Sequence, residues 1–151
     1  MGQSLSQLYV HLTFGTKDRY PFIRQSEEEK LHAYLAGTLK NYESPALIIN
    51  SVPDHIHIFF RLSKNFALAK VVEEVKKQSS KWIKEFGNGY QNFSWQTGYG
   101  AFSVSSYAVD VVRNYILNQK EHHRKRSYQE EVERFMREYD VIEFDPEYFW
   151  R

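Results

Sequence analysis

A chain of 151 residues that is 42% hydrophobic and 17% aromatic is long and apolar enough for one packed domain. It contains no cysteine, which excludes disulfides and thiolate metal sites and suits a reducing cytoplasm. No apolar run is long enough to span a bilayer, and the start Met-Gly-Gln-Ser-Leu-Ser lacks the pattern of a secretory signal.

Leu8, Val10, Leu12 and Phe14 alternate with Tyr9, His11 and Thr13, which predicts a strand over 7–15. Residues 17–21 read as a loop. Ser26 followed by Glu27, Glu28 and Glu29 predicts a helix start, with Glu29 placed for a capping box. Leu31, Leu35 and Leu39 carry that helix to about Lys40. Residues 46–52 read as a second strand, and Pro53-Asp54 turns it into a third that starts at His55.

A second helix has its apolar side on Leu68, Val71, Val72, Val75, Trp82, Ile83 and Phe86, and Gly87-Asn88-Gly89 ends it. Short strand and turn signals fill 95–106. Ser105 or Ser106 opens a third helix over about 107–122, and 128–139 also reads as helical. Residues 144–150 read as extended and apolar, a segment that should dock on another surface such as a second subunit. Strand, helix, strand, strand, helix, strand, helix is the order of an α+β, ferredoxin-like antiparallel sheet with helices on one face. Residues 1–151 form a single domain on this reading, with 126–151 as an acidic C-terminal extension.

The net charge of +1 conceals an asymmetry, +5 over residues 1–125 against −4 over 126–151. Seven basic residues fall within 61–84, against Glu73 and Glu74. Such a patch suits a phosphate backbone; its plain alternative is a solvated helix face.

Successive strand side chains point to opposite faces, so His55 and His57 share one face and Ile56, Ile58 and Phe60 the other. Two imidazoles on one face can offer two nitrogens to one metal ion. Tyr115 and Gln119, four apart, share a helix face and place a phenol beside a carboxamide. Each has a plain reading: surface histidines, a half-buried tyrosine, a surface glutamine. Tyr107 and Tyr128 are alternative nucleophiles, but neither has a glutamine four residues later. His11, on the first strand, and His122, near the helix that carries Gln119, read as polar packing partners. Asp54 either orients an imidazole from behind or caps the turn.

His-hydrophobic-His on a strand, with a single tyrosine four residues before a glutamine on a helix, resembles the HUH single-tyrosine transposases. These serve small bacterial insertion sequences that move as single-stranded DNA. The resemblance extends through His11–Ile23 in the first strand and loop, and through Lys76-Lys77-Gln78-Ser79-Ser80-Lys81 in the second helix. It continues from Tyr115 through His122-His123 to Phe144-Asp145-Pro146. It implies a Mg²⁺ or Mn²⁺ ion held by His55, His57 and Gln119; Asp54 and His122 are candidates for places behind those ligands. It implies that Tyr115 cuts single-stranded DNA through a 5′-phosphotyrosine and that a second 3′-hydroxyl rejoins the strands. The implied substrate is a hairpin near an element end. Lys76, Lys77, Lys81 and Lys84 are candidates for contacts to its backbone, and Arg19 and Tyr20 for stacking on unpaired bases.

One candidate nucleophilic tyrosine per chain and two strands to cut imply a homodimer, with sites shared between subunits in the family pattern. Two rival readings remain: a domesticated hairpin-binding protein that no longer cuts, and a metal-dependent hydrolase that never traps DNA.

Overall fold

The computed structural model describes residues 2–87, 89–123, 126–139, 141 and 144–151, the side chains of His122 and His123 excepted. Strands β1 (Leu8–Gly15), β2 (Ala46–Val52), β3 (His55–Leu62) and β4 (Gly100–Val104) form one sheet. Its order is β2-β3-β1-β4 and every pairing is antiparallel. Helices α1 (Gln25–Asn41) and α2 (Leu68–Ile83) connect the strands in the β-α-β-β-α-β order of a ferredoxin-like layer.

Period-two alternation sorts the strands' side chains into two cores. Leu12, Phe14, Ile56, Ile58 and Phe60 meet Leu31, Leu35 and Leu39 of α1 and Val71, Val72 and Val75 of α2. The other face carries His11, Thr13, His55, His57 and Phe59. It is roofed by α3 (Val109–Leu117), α4 (Gln119–His123) and α5 (Tyr128–Glu138). Ile116 of α3 packs on Phe59 there. Across the sheet His57 lies opposite Thr13 and Asn50, and His55 opposite Gly15 and Val52. Both histidines thus sit on a central strand.

Three local expectations are corrected. Helix α1 starts at Gln25 behind Arg24, so Ser26 is not its cap. The backbone N–H of Ile23 is tied to the Pro53 carbonyl at 3.0 Å and that of Arg24 to the Tyr90 hydroxyl at 3.2 Å, which fixes the entry point upstream of Ser26. The Ser26 hydroxyl donates to Glu27 instead.

The helix expected over 107–122 is broken at Asn118. Asn50 on β2 donates to the carbonyls of Ile116 and Leu117 at 2.9 and 3.1 Å, satisfying carbonyls at the end of α3.

The last segment is a short helix, α6 (Pro146–Phe149), rather than extended chain. Asp145 caps it through the Glu147 N–H at 3.0 Å, and Pro146 occupies its first turn. It docks on its own chain. Gln96 donates to the Phe149 carbonyl at 2.8 Å, and the Thr97 N–H to the Arg151 carbonyl at 2.8 Å. Among the described residues, no helix is long and apolar enough to cross a membrane.

Candidate metal centre and nucleophile

The centre is assembled on the roofed face of the sheet. His55 Nδ1 donates to Asp54 Oδ1 at 2.7 Å, which turns Nε2 inward. His57 Nδ1 lies 2.8 Å from His11 Nε2, which turns its Nε2 the same way. Both Nε2 atoms converge on one oxygen of Glu131, at 3.4 Å from His55 and 2.7 Å from His57. Ligand atoms of these three residues all lie within 4.8 Å of one another.

Gln119, the first residue of α4, enters the same space. Its Nε2 is 3.0 Å from His55 Nε2 and 3.1 Å from Glu131 Oε2. Its Oε1 is buried and has no hydrogen-bond partner among the described residues. The Tyr115 hydroxyl donates to Glu131 Oε2. Its ring stands edge-on to His57, 6.0 Å between centroids. Despite the break at Asn118, Tyr115 and Gln119 both reach the histidines.

The centre is closed. His55, His57 and Gln119 are each 0% exposed. Tyr128 stacks on His55, and Phe135 stands edge-on to Tyr115, His11 and His57.

The electrostatics follow from this burial. Burial alone would raise the Glu131 carboxyl, but His57 and His55 outweigh it and hold the group well below the usual carboxylate range. Burial lowers His55, but its hydrogen bonds to Asp54 and Glu131 outweigh that and raise it. Burial and then His57 bring His11 down to about 3. Tyr115 is pushed well above the ordinary phenol value, first by burial and then by the charge of Glu131.

A divalent cation fits this donor set. Two imidazole nitrogens and a carboxylate converge, and the orphaned amide oxygen of Gln119 lies beside them. Turning that amide over would bring the oxygen toward His55 Nε2 in place of its N–H₂. A mixed nitrogen and oxygen set without thiolate is one that a divalent cation of the hard or borderline class accepts.

Asp54 stands where an orienting partner is expected, while the side chain of His122 lies outside the described residues. Glu131 escaped the sequence reading, although a signal existed. It falls on the apolar stripe of α5 with Tyr128, Val132 and Phe135, and a carboxylate on a buried stripe needs a partner.

The DNA-contact candidates lie elsewhere. Helix α2 packs on the opposite face of the sheet from the centre. Lys76 bends into the protein and donates to the carbonyls of Gln96, Thr97 and Gly98 at 2.6, 3.0 and 3.0 Å. Lys77 is exposed but pairs with Glu74 at 3.0 Å. Lys81 and Lys84 are exposed, with no ion pair among the described residues. Arg19 sits in an exposed turn at φ 56°, with its guanidinium 5.2 Å from the Trp150 ring centroid.

A ferredoxin-like sheet with a His-x-His pair on its central strand and a helix-borne tyrosine beside it defines the HUH single-tyrosine architecture. Residues 4–119 match the family described as "Transposase IS200 like", and the chain belongs to that family. No curated protein matches it. Among solved structures it is similar to a proposed transposase from Deinococcus radiodurans R1, with 18% identity and a TM-score of 0.63. That match covers 79% of this chain and 96% of the other. It is also similar to a REP-associated tyrosine transposase bound to a REP hairpin, with 15% identity and a TM-score of 0.60. There the match covers 82% of this chain and 74% of the other. At these identities both likenesses concern the fold.

Proposed function

We propose that this transposase cuts and rejoins single-stranded DNA at hairpins, with Tyr115 as nucleophile. The observation that carries the reading is the convergence of Tyr115, His55, His57 and Gln119, drawn from three separate elements, on one buried centre.

His55, His57 and Gln119 would hold a divalent cation, which would supply positive charge to the scissile phosphate and its transition state. The Tyr115 oxygen attacks phosphorus, forming a P–O bond as the bond to the 3′ oxygen breaks. The products are a 5′-phosphotyrosine and a free 3′-hydroxyl; the phenol gives up its proton and the leaving oxygen gains one. A second 3′-hydroxyl then reverses the step on a new strand, so no nucleotide is consumed. In the closed centre without DNA, burial and then the charge of Glu131 favour the protonated phenol of Tyr115.

Because both histidines are covered, a phosphate reaches the centre only when the rings of Tyr128 and Phe135 move away. One nucleophilic tyrosine per chain and two strands to exchange call for a homodimer. The similar structure that holds a REP hairpin supports a hairpin substrate.

The test is a labelled single-stranded hairpin incubated with the protein and Mn²⁺, then denatured. A labelled protein band is expected from the wild type and none from Tyr115→Phe, which keeps the ring and hairpin binding. Cleavage without any band would favour a hydrolase; binding without cleavage would favour a domesticated hairpin-binding protein.

A further inference from the structure

Helix α5 lies beyond the residues that match the family, which end at Gln119. It nevertheless supplies the side chain at the middle of the centre. We propose that Glu131 is a further protein ligand of the metal in the DNA-free protein, and that its second oxygen holds the Tyr115 hydroxyl beside that metal. The inference rests on the metal-assisted reading above.

Three independent features carry it. First, Glu131 Oε1 lies where the inward nitrogens of both histidines point, 2.7 and 3.4 Å away. Second, the outward nitrogens of those histidines are already engaged, by Asp54 on His55 and by His11 on His57. Metal-ligating histidines usually have their other nitrogen bonded in this way, and the bond fixes the ring for ligation. Third, the buried Oε1 of Gln119 is an acceptor without a donor beside this cluster. A buried acceptor left without a partner is costly, and a cation would satisfy it.

The carboxylate's two oxygens divide the work. Oε1 faces the histidines and Oε2 accepts from Tyr115. Glu131 thereby links the cation and the nucleophile while no DNA is bound, and a phosphate oxygen takes its place when the strand enters. It is a positioning residue, held at depth by Tyr128, Val132 and Phe135 on the same buried stripe.

The test measures Mn²⁺ binding to the full chain without DNA, by calorimetry and by the electron paramagnetic resonance of the bound ion. Wild type is expected to take up one ion, and His55→Ala with His57→Ala to lose it. Glu131→Gln, close in shape, is expected to bind at least about 10-fold more weakly, since losing a direct carboxylate ligand should cost no less than altering an outer-shell partner does. Addition of Mn²⁺ should perturb the tyrosine absorption band in wild type, and Tyr115→Phe and Glu131→Gln should both remove that change. Circular dichroism melts establish that each variant is folded. Unchanged or tighter Mn²⁺ affinity in Glu131→Gln would overturn the inference, because Glu131 would then be a bystander or a plug. So would a wild type that binds no ion. A normal adduct in wild type with unaltered metal affinity in Glu131→Gln sinks only this inference. Loss of metal in Glu131→Gln, with no adduct from wild type, sinks only the transposase chemistry.

Discussion

The ring of Tyr128 lies flat on the imidazole of His55, with centroids 4.1 Å apart and planes 15° from parallel. Its hydroxyl is 3.1 Å from Thr13 Oγ1, on the strand next to the histidine. Tyr128 is therefore a cover whose oxygen is already engaged away from Glu131, and this separates it from Tyr115. Tyr128→Phe should cost about 1 kcal/mol, one net hydrogen bond, and should still form the covalent DNA adduct. Tyr128→Ala should cost about 3–5 kcal/mol through the cavity it leaves. Urea unfolding gives the stabilities and a denaturing gel gives the adduct. Loss of the adduct in Tyr128→Phe would move the nucleophile to this residue.

Asn50 meets the site's framework from a distant strand. Its amide donates to the last carbonyls of α3, 66 and 67 residues away in sequence, at the step between the tyrosine helix and Gln119. Asn50→Ala leaves those carbonyls short of a donor and frees the end of α3. A stability loss of about 1–3 kcal/mol is expected. Adduct formation should fall further than stability does, because a misplacement of about 1 Å can cost on the order of 100-fold in rate. Equal adduct rates in the variant and wild type would show that the break at Asn118 holds its shape unaided.

The parts of the site that were legible in the sequence depend on one local period. Strand alternation alone puts His55 and His57 together, and a four-residue spacing alone puts Tyr115 and Gln119 together. The break at Asn118 was not legible, because the side chain that meets the carbonyls there, Asn50, lies on β2 far away in sequence. Glu131 was visible as a carboxylate on an apolar stripe. What the period cannot say is which face of the sheet α5 covers, and hence which partners the carboxylate finds. Lys76 shows a related limit: its place on the helix is readable from the sequence, but the carbonyls of residues 96–98 that it meets come from a loop. The turn from Asp145 to Pro146 carried a helix-start signature that the apolar residues after it obscured.

His32 on α1 provides a pH test outside the centre. Its Nε2 is 2.8 Å from Ser51 Oγ. Burial lowers its pKa; Glu28 and Glu29 oppose the shift and Lys120 assists it, leaving the value below the ordinary one. Between the lowered folded value and the unfolded value of about 6.5, the unfolded chain binds more protons. Stability from this residue therefore rises with pH across that window and is lost as pH falls through it. His32→Gln keeps a partner for Ser51 but removes the titration. Its unfolding free energy should vary less steeply with pH just below 6.5 than that of wild type, by less than one proton's worth. Identical slopes in urea unfolding series would show that His32 keeps its ordinary affinity in the fold.

The lysines of α2 separate stability from DNA binding. Burial brings the Lys76 amine down to about 8, and its three carbonyl acceptors lie within 3.0 Å. Lys76→Met removes the donor for a loop that also anchors α6 through Gln96. It should destabilise the protein by about 1–3 kcal/mol and leave the salt dependence of hairpin binding unchanged. Lys81 and Lys84 point to solvent. Replacing both with Gln should change stability by no more than about 0.5 kcal/mol. If they meet phosphates, the slope of log affinity against log salt should flatten by roughly 0.7–0.9 for each phosphate no longer neutralised. Since α2 lies across the sheet from Tyr115, those phosphates would belong to the hairpin stem, and the cleavage rate at saturating DNA should hold. A flattened slope in Lys76→Met would mean that this amine leaves its carbonyls for phosphate. An unchanged slope in the Lys81 and Lys84 variant would reduce that face of α2 to a solvated helix surface.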